Sequence, residues 1–293
     1  MLLSQPIGNR MKGNLSYEEM FKVIKDAGFD AIDFSFCGGD ERTYNGEFKP
    51  EQFVEWRKYV ESMGICFNQA HAPFPSSKPD EKTTKEIFET IVTSMKNAAL
   101  LGVKIIVVHP KQHLTYSEEG NPEKLFEENI KFYNSLKPYC EEYGIQVALE
   151  NMWQAKHYVG GYRVLHSTCS SPAEFNRYLD ALDRRWFVGC LDIGHSLLVH
   201  VEPQDFIKEM GSDRLKALHV HDVLAGNDTH TLPYYGGSGD WDKITKALKE
   251  IGYTGDLTYE ANNFNEHLPA ELALPAAKYM AEVGRYLISQ IEK

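Results

Sequence analysis

Tyr143-Gly144-Ile145-Gln146-Val147-Ala148-Leu149-Glu150 is the stretch on which the fold turns. A helical run stops at Tyr143. A glycine follows, suited to the left-handed position after a helix C-terminus, and a short apolar run then ends abruptly in a carboxylate. The same unit of helix, glycine and strand recurs at Ala27-Gly28-Phe29, Met63-Gly64-Ile65, Leu101-Gly102-Val103 and Ile251-Gly252-Tyr253. The polar ending recurs as well. Apolar runs finish in His71, His109, Asp192, His219 and Glu260. Buried strands do not normally end in imidazoles and carboxylates. Six such endings read as parallel strands that deliver their last residues to one shared site.

Working outward, apolar periodicity predicts strands over 2–7, 29–36, 65–71, 103–109, 145–150, 186–192, 215–221 and 256–260. Helices are predicted over 50–63, 80–101, 122–143, 172–182, 203–210, 240–251 and 269–291, and a first helix opens at the capping box Ser16-Tyr17-Glu18-Glu19. Strand–helix alternation implies a parallel sheet with right-handed crossovers. Eight units close into a (β/α)8 TIM barrel, the α/β fold expected here as a single domain over residues 1–293. An open doubly wound sheet is the alternative, but no GxGxxG or P-loop follows the first strand. Connections after strands are long (72–79, 110–121, 151–171, 222–239) and those before strands are short. Long βα loops form the active-site face of such a barrel.

Composition sets outer bounds. The 293 residues are 42% hydrophobic and 25% charged, a soluble globular profile without an apolar run long enough for a bilayer. The N-terminus lacks the basic-then-apolar pattern of a secretion signal. Five scattered cysteines, with no CxxC spacing, argue against a disulfide framework or a Cys-rich zinc site, so a reducing cytoplasm is the expected compartment. The formal net charge of −11 disfavours a broad nucleic-acid binder. No membrane partner is expected either.

Glu150, Asp192 and Glu260 end three different strands, and His219 ends the strand between the last two. Three converging carboxylates repel one another unless a cation sits among them. Three carboxylates and one imidazole make a mostly hard donor set suited to one divalent ion: Mn first, with Zn, Co or Mg as alternatives. His71 and His109 are read as groups that hold a substrate hydroxyl, or as further ligands. His195 follows Asp192 by three residues and suits a substrate oxygen or a second ion. His221 shares strand parity with His219, which places both inward. Asp228 and His230, in the loop after the seventh strand, are either a solvated pair or an additional metal site. Trp153, Phe74, Trp241 and Tyr234-Tyr235 form an apolar wall for a sugar face or pack the loops. Gly236-Gly237-Ser238-Gly239 could cradle a phosphate. Ser4, Ser35 and Cys37 show no His or Asp partner of a nucleophile motif.

The chain resembles the xylose-isomerase-like barrel superfamily of sugar phosphate isomerases and epimerases, which is related to endonuclease IV. Leu149-Glu150-Asn151, Leu191-Asp192-Ile193-Gly194-His195, His219-Val220-His221-Asp222 and Tyr259-Glu260 carry the resemblance. It implies that Glu150, Asp192, His219 and Glu260 bind one divalent metal, that Glu150 and Glu260 are the acid/base pair, and that the His195 position contacts substrate. The implied chemistry is proton transfer next to a carbonyl through an enediolate, on a small-molecule carbohydrate, in a protein that can form a homo-oligomer. Trp153 and His221 are taken as further substrate contacts. A keto-sugar lyase or dehydratase would use the same enolate. The resemblance also extends to the trinuclear zinc site of endonuclease IV, a phosphodiesterase on abasic DNA. All nine residue types of that site are present, as His71, His109, Glu150, Asp192, His195, His219, Asp228, His230 and Glu260. The Leu-Glu-Asn-Met-Trp and Asp-Ile-Gly-His forms look more like the sugar enzymes.

Overall fold

The computed structural model of the chain describes residues 1–7, 15–37, 40–265 and 268–293. The sequence also places the end of the second strand at Cys37-Gly38-Gly39, of which Gly38 and Gly39 lie outside the described residues. In chain order the strands are β1 (Leu3–Ile7), β2 (Ala31–Ser35), β3 (Cys66–His71), β4 (Ile105–Val107), β5 (Gln146–Glu150), β6 (Trp153–Tyr158), β7 (Gly161–His166), β8 (Phe187–Asp192), β9 (Leu215–His219), β10 (Asp222–Leu224), β11 (Asn227–Thr231) and β12 (Leu257–Thr258). Eight of them pair in parallel in the order β12-β1-β2-β3-β4-β5-β8-β9. The ring closes where Val220 bridges Tyr259, with Val220 N donating to Thr258 O at 2.8 Å and Glu260 N donating to Val220 O at 3.1 Å.

The helices are α1 (Tyr17–Ala27), α2 (Pro50–Ser62), α3 (Glu81–Leu100), α4 (Asn121–Tyr143), α5 (Pro172–Asp180), α6 (Ile193–Leu198), α7 (Pro203–Arg214), α8 (Trp241–Glu250) and α9 (Ala270–Glu292). Each barrel strand is followed by one outer helix, and the six-residue α6 is an addition just after β8. The capping box at Ser16 and Glu19 forms as expected. Gly28, with φ 97°, closes α1 by donating its amide back to Ile24 O and Lys25 O. That conformation costs an L side chain 1–2 kcal/mol and glycine almost nothing.

Pairing and alternation set which side chains enter the barrel. Val107, Ala148, Val188, Cys190 and Ala217 form a small apolar plug inside it, separate from the large core between strands and helices. Side chains two residues apart share a face. Glu150 follows Ala148, Asp192 follows Cys190 and His219 follows Ala217, so all three point inward at the C-terminal end of their strands, and His109, two residues past the end of β4, meets them there with Nε2 3.0 Å from Glu150 Oε2. His71 pairs with Val107 and Gln69 with Ile105, which turns β3 the same way.

The loops after β5 and β9 are not irregular. Each folds back as an antiparallel hairpin, β6–β7 and β10–β11. Tyr162 OH donates to Asn227 Oδ1 at 3.1 Å, so the two hairpins touch over the mouth. In the first turn of α5, Glu174 packs against Tyr116 of the loop after β4, with its Oε2 buried and unpartnered. Burial pushes its pKa up from 4.5 to about 7, against the pull of the Tyr116 hydroxyl. A carboxyl whose pKa is higher folded than unfolded binds more protons when folded, so it costs stability as pH rises from about 4.5 through 7. Glu174→Gln should therefore match the wild type at pH 4 and be more stable at pH 8 by roughly 1–3 kcal/mol. Thermal melts of both proteins across that range check this.

Candidate metal centre

Glu150, Asp192, His219 and Glu260 converge. One ligand atom from each lies within 4.8 Å of all the others. His219 Nδ1 is 3.1 Å from Glu150 Oε1, 3.2 Å from Glu260 Oε2 and 3.9 Å from Asp192 Oδ2. Glu150, Asp192 and His219 are fully enclosed, and the Glu260 side chain is the one that reaches the opening, at 21% exposure.

The remaining imidazoles ring this group. His109 Nε2 lies 3.0 Å from Glu150 Oε2, off the direction of a hydrogen bond, and 3.0 Å from His71 Nε2. His71 also stacks on His219, with ring centroids 5.4 Å apart. On the other side, His195 Nδ1 meets Asn151 O at 2.8 Å, and its Nε2 faces Asp228 Oδ2 at 3.8 Å. Asp228 Oδ2 is 3.2 Å from His230 Nε2, and His230 Nδ1 donates to Glu260 O at 2.8 Å. His221 sits behind Asp192, with Nε2 3.0 Å from Oδ1, and is wholly buried. It shares the inward face with His219, and its Nε2 faces the Asp192 carboxylate. Trp153 lies on β6, stacked on Tyr162 at 5.8 Å, and forms part of the hairpin that overhangs the mouth.

Charge balance explains how so many acids coexist. Burial alone would push Glu150 up, but His219 and His109 hold it well below the usual carboxylate range. Asp192 is held low in the same way, by His195 and His221. Burial opposes a charge on His219, yet Glu260 and Glu150 raise its pKa to about 9. His230 also reaches about 9, with burial overcome by Glu260 and Asp228. His109 is pushed down, chiefly by burial.

The donor set suits a divalent ion. Three carboxylates and an imidazole are hard, mostly oxygen ligands, and Glu150 Oε2 and Glu260 Oε2 are buried without a hydrogen-bond partner. Buried polar atoms are rarely left unpaired without reason. Three further groups meet the same spacing: His71/His109/Glu150, His71/His219/Glu260 and His221/His230/Glu260.

Several neighbours were not read from the sequence. Asn151 clamps Asp192 at both ends of its backbone: its Nδ2 donates to Asp192 O at 2.8 Å, and Asp192 N donates to its Oδ1 at 2.7 Å. The signal was its place directly after Glu150. Cys37 does have an imidazole partner, since Sγ lies 2.8 Å from His71 Nδ1. Only the β2–β3 pairing, which sequence proximity does not reveal, brings the two together. Asp33 on β2 is enclosed beside the cluster. Burial raises its pKa to about 6, against the charges of His219 and His71. The Gly236–Gly239 segment does not offer its last amide to a phosphate: Gly239 N donates to Asp222 Oδ1 at 3.0 Å, beside the Trp241 Nε1 bond to Oδ2 at 2.8 Å.

Known proteins share this architecture. A rhizobial protein of unassigned function, y4fM of Sinorhizobium fredii, is 32% identical over 81% of this chain and 78% of its own length. The probable endonuclease 4 of Cenarchaeum symbiosum is 28% identical over 57% of this chain and 58% of its own. Among solved structures, a D-psicose 3-epimerase crystallised with D-fructose superposes with a TM-score of 0.75 at 14% identity, covering 98% of this chain and 99% of that one. The IOLI protein with a bound zinc atom superposes at 0.74 and 20% identity, covering 98% and 99%. At those identities the structural likeness speaks for the fold. The model of the xylose isomerase-like TIM barrel family matches residues 21–285, and the chain belongs to that family.

Proposed function

We propose that the chain, working as one barrel domain, is a metal-dependent sugar or sugar phosphate isomerase or epimerase. Glu150, Asp192, His219 and Glu260 hold one divalent ion, Mn first, and Glu150 and Glu260 are the acid/base pair. The observation that carries this reading is the meeting of four ligand atoms from four strand ends within 4.8 Å. The sugar-enzyme names among the structural relatives support the substrate class.

A divalent ion bound there would polarise a ketose carbonyl and favour negative charge on its oxygen. The chain's own residues do the rest. Glu150 and Glu260 stand three strands apart round the ring, so a proton taken from carbon by one carboxylate can be returned by the other from a different side. His71, His109 and His195 line the approach and hold hydroxyls. The β6–β7 hairpin, with Trp153, limits water over the mouth.

The test is metal analysis joined to a substrate screen. About one tightly held ion per chain is expected, with turnover lost on chelation and restored by Mn²⁺. Ketoses incubated in D₂O should gain deuterium at the carbon next to the carbonyl. No exchange on any ketose, keto-sugar or their phosphates would sink the assignment, while exchange coupled to loss of water would point to the lyase.

A second reading has its own observation. His71, His109 and Glu150 form one compact group, and His195, Asp228 and His230 another, on either side of the central four. Together they offer places for three ions, the arrangement of a zinc phosphodiesterase. Three zinc ions per chain and incision of abasic DNA would establish it. The net charge of −11 weighs against it.

A further inference from the structure

Besides Glu150 Oε2 and Glu260 Oε2, which face the proposed ion, three more buried side-chain atoms inside the barrel lack partners: Asp33 Oδ1, Gln69 Nε2 and His219 Nε2. Two can donate and one can accept. Register sets Asp33 directly beside Gln69 across the β2–β3 pair, on the inward face. Two residues along β3 on the same face, His71 stacks its ring on His219 at 5.4 Å, which sets the Asp33–Gln69 pair one layer below those rings. His219 turns Nδ1 toward Glu150 and Glu260, so Nε2 is on the far side of the ring. A metal-bound imidazole almost always donates its other N–H to a carboxylate, a carbonyl or a water, which fixes both tautomer and orientation. A buried water needs two to four polar partners, and these three atoms would supply them.

We infer that Asp33 is a positioning residue for His219: a water shared with Gln69 carries the hydrogen bond from His219 Nε2 to the Asp33 carboxylate and keeps Nδ1 turned to the ion. This rests on the metal reading above. Asp33 touches neither substrate nor ion. Its effect passes through one imidazole, so it should appear as metal affinity and as a protected ring proton.

The experiment has three readouts. A high-resolution crystal structure of the metal-free protein should show a water within about 3 Å of all three atoms. Titration with Mn²⁺ should show Asp33→Asn binding 10- to 100-fold more weakly than wild type, at unchanged stoichiometry and unchanged circular dichroism. In the Zn²⁺-loaded wild type, the His219 Nε2–H proton should give a slowly exchanging NMR signal, lost in Asp33→Asn. If Asp33→Asn fails to fold, Gln69→Met removes a different partner of the same water and should weaken Mn²⁺ binding in the same direction. Unchanged affinity with an unchanged ring-proton signal overturns the inference, as does a metal-free structure without that water. A wild type that binds no divalent ion overturns the metal reading instead, and the crystallographic water then decides the hydrogen-bond link alone.

Discussion

Glu150→Gln is expected to leave the barrel folded and to reduce turnover by at least ~10³-fold, the upper range for removal of a general acid or base. Glutamine keeps the shape of the side chain but cannot take a proton from carbon, and it weakens a carboxylate that reaches His219 at 3.1 Å. Glu260→Gln should match it in turnover. Glu260 is partly open to the mouth whereas Glu150 is enclosed, so its effect on ion affinity should be the smaller of the two. Steady-state rates, ion titration and circular dichroism on both variants check this. Activity retained in both would end the acid/base assignment.

Gly194→Ala should produce the largest loss of stability from a single methyl group. A Cβ at this position would stand 1.9 Å from His221 Cε1 and 2.5 Å from both ring nitrogens. The ring is fully enclosed and hydrogen-bonded to Asp192, so it cannot retreat without surrendering that contact. Overpacking costs typically 1–3 kcal/mol, and a buried carboxylate left without its partner costs a similar amount again. A loss of about 3 kcal/mol and a fall in Tm of roughly 6–12 °C follow. Ion affinity should also drop 10- to 100-fold, because Asp192 loses its orienting imidazole. Gly255→Ala is the control. Its Cβ would strike Tyr253 Oη at 2.2 Å and Lys216 O at 2.6 Å, beside the start of β9 rather than its His219 end, so it should lower Tm while leaving ion binding intact. A Gly194→Ala protein with wild-type melting and affinity would show that His221 does not hold Asp192.

Much of this was legible because β-strand alternation links two facts that the chain states separately. Ala148 and Glu150, or Ala217 and His219, are two residues apart, so a small apolar residue inside a barrel places the next polar one at its mouth. The left-handed glycines marked the quiet end of each unit equally plainly. What escaped notice lacks such a signature. Asp33 is embedded in the apolar run 29–36, and its inward face is set by pairing with β3, across a register shift. The β6–β7 hairpin reads as loop because Gln154, Lys156, His157 and Tyr158 supply little apolar alternation. The eighth barrel strand is only Leu257–Thr258, with Tyr259 joined by a single bridge, so its predicted length was too great. Likewise β4 stops at Val107, and His109 lies two residues beyond it.

The paired hairpins divide the molecule into parts that can change at different rates. A two-stranded hairpin has little stability of its own, and the hydrogen bond from Tyr162 OH to Asn227 Oδ1 ties this pair together. Replacements at their tips would leave the ring of eight strands and its buried acids untouched. A lineage carrying this scaffold can therefore revise the hairpin tips, at Val159-Gly160 and Ala225-Gly226, while the costly arrangement of buried charge is inherited whole.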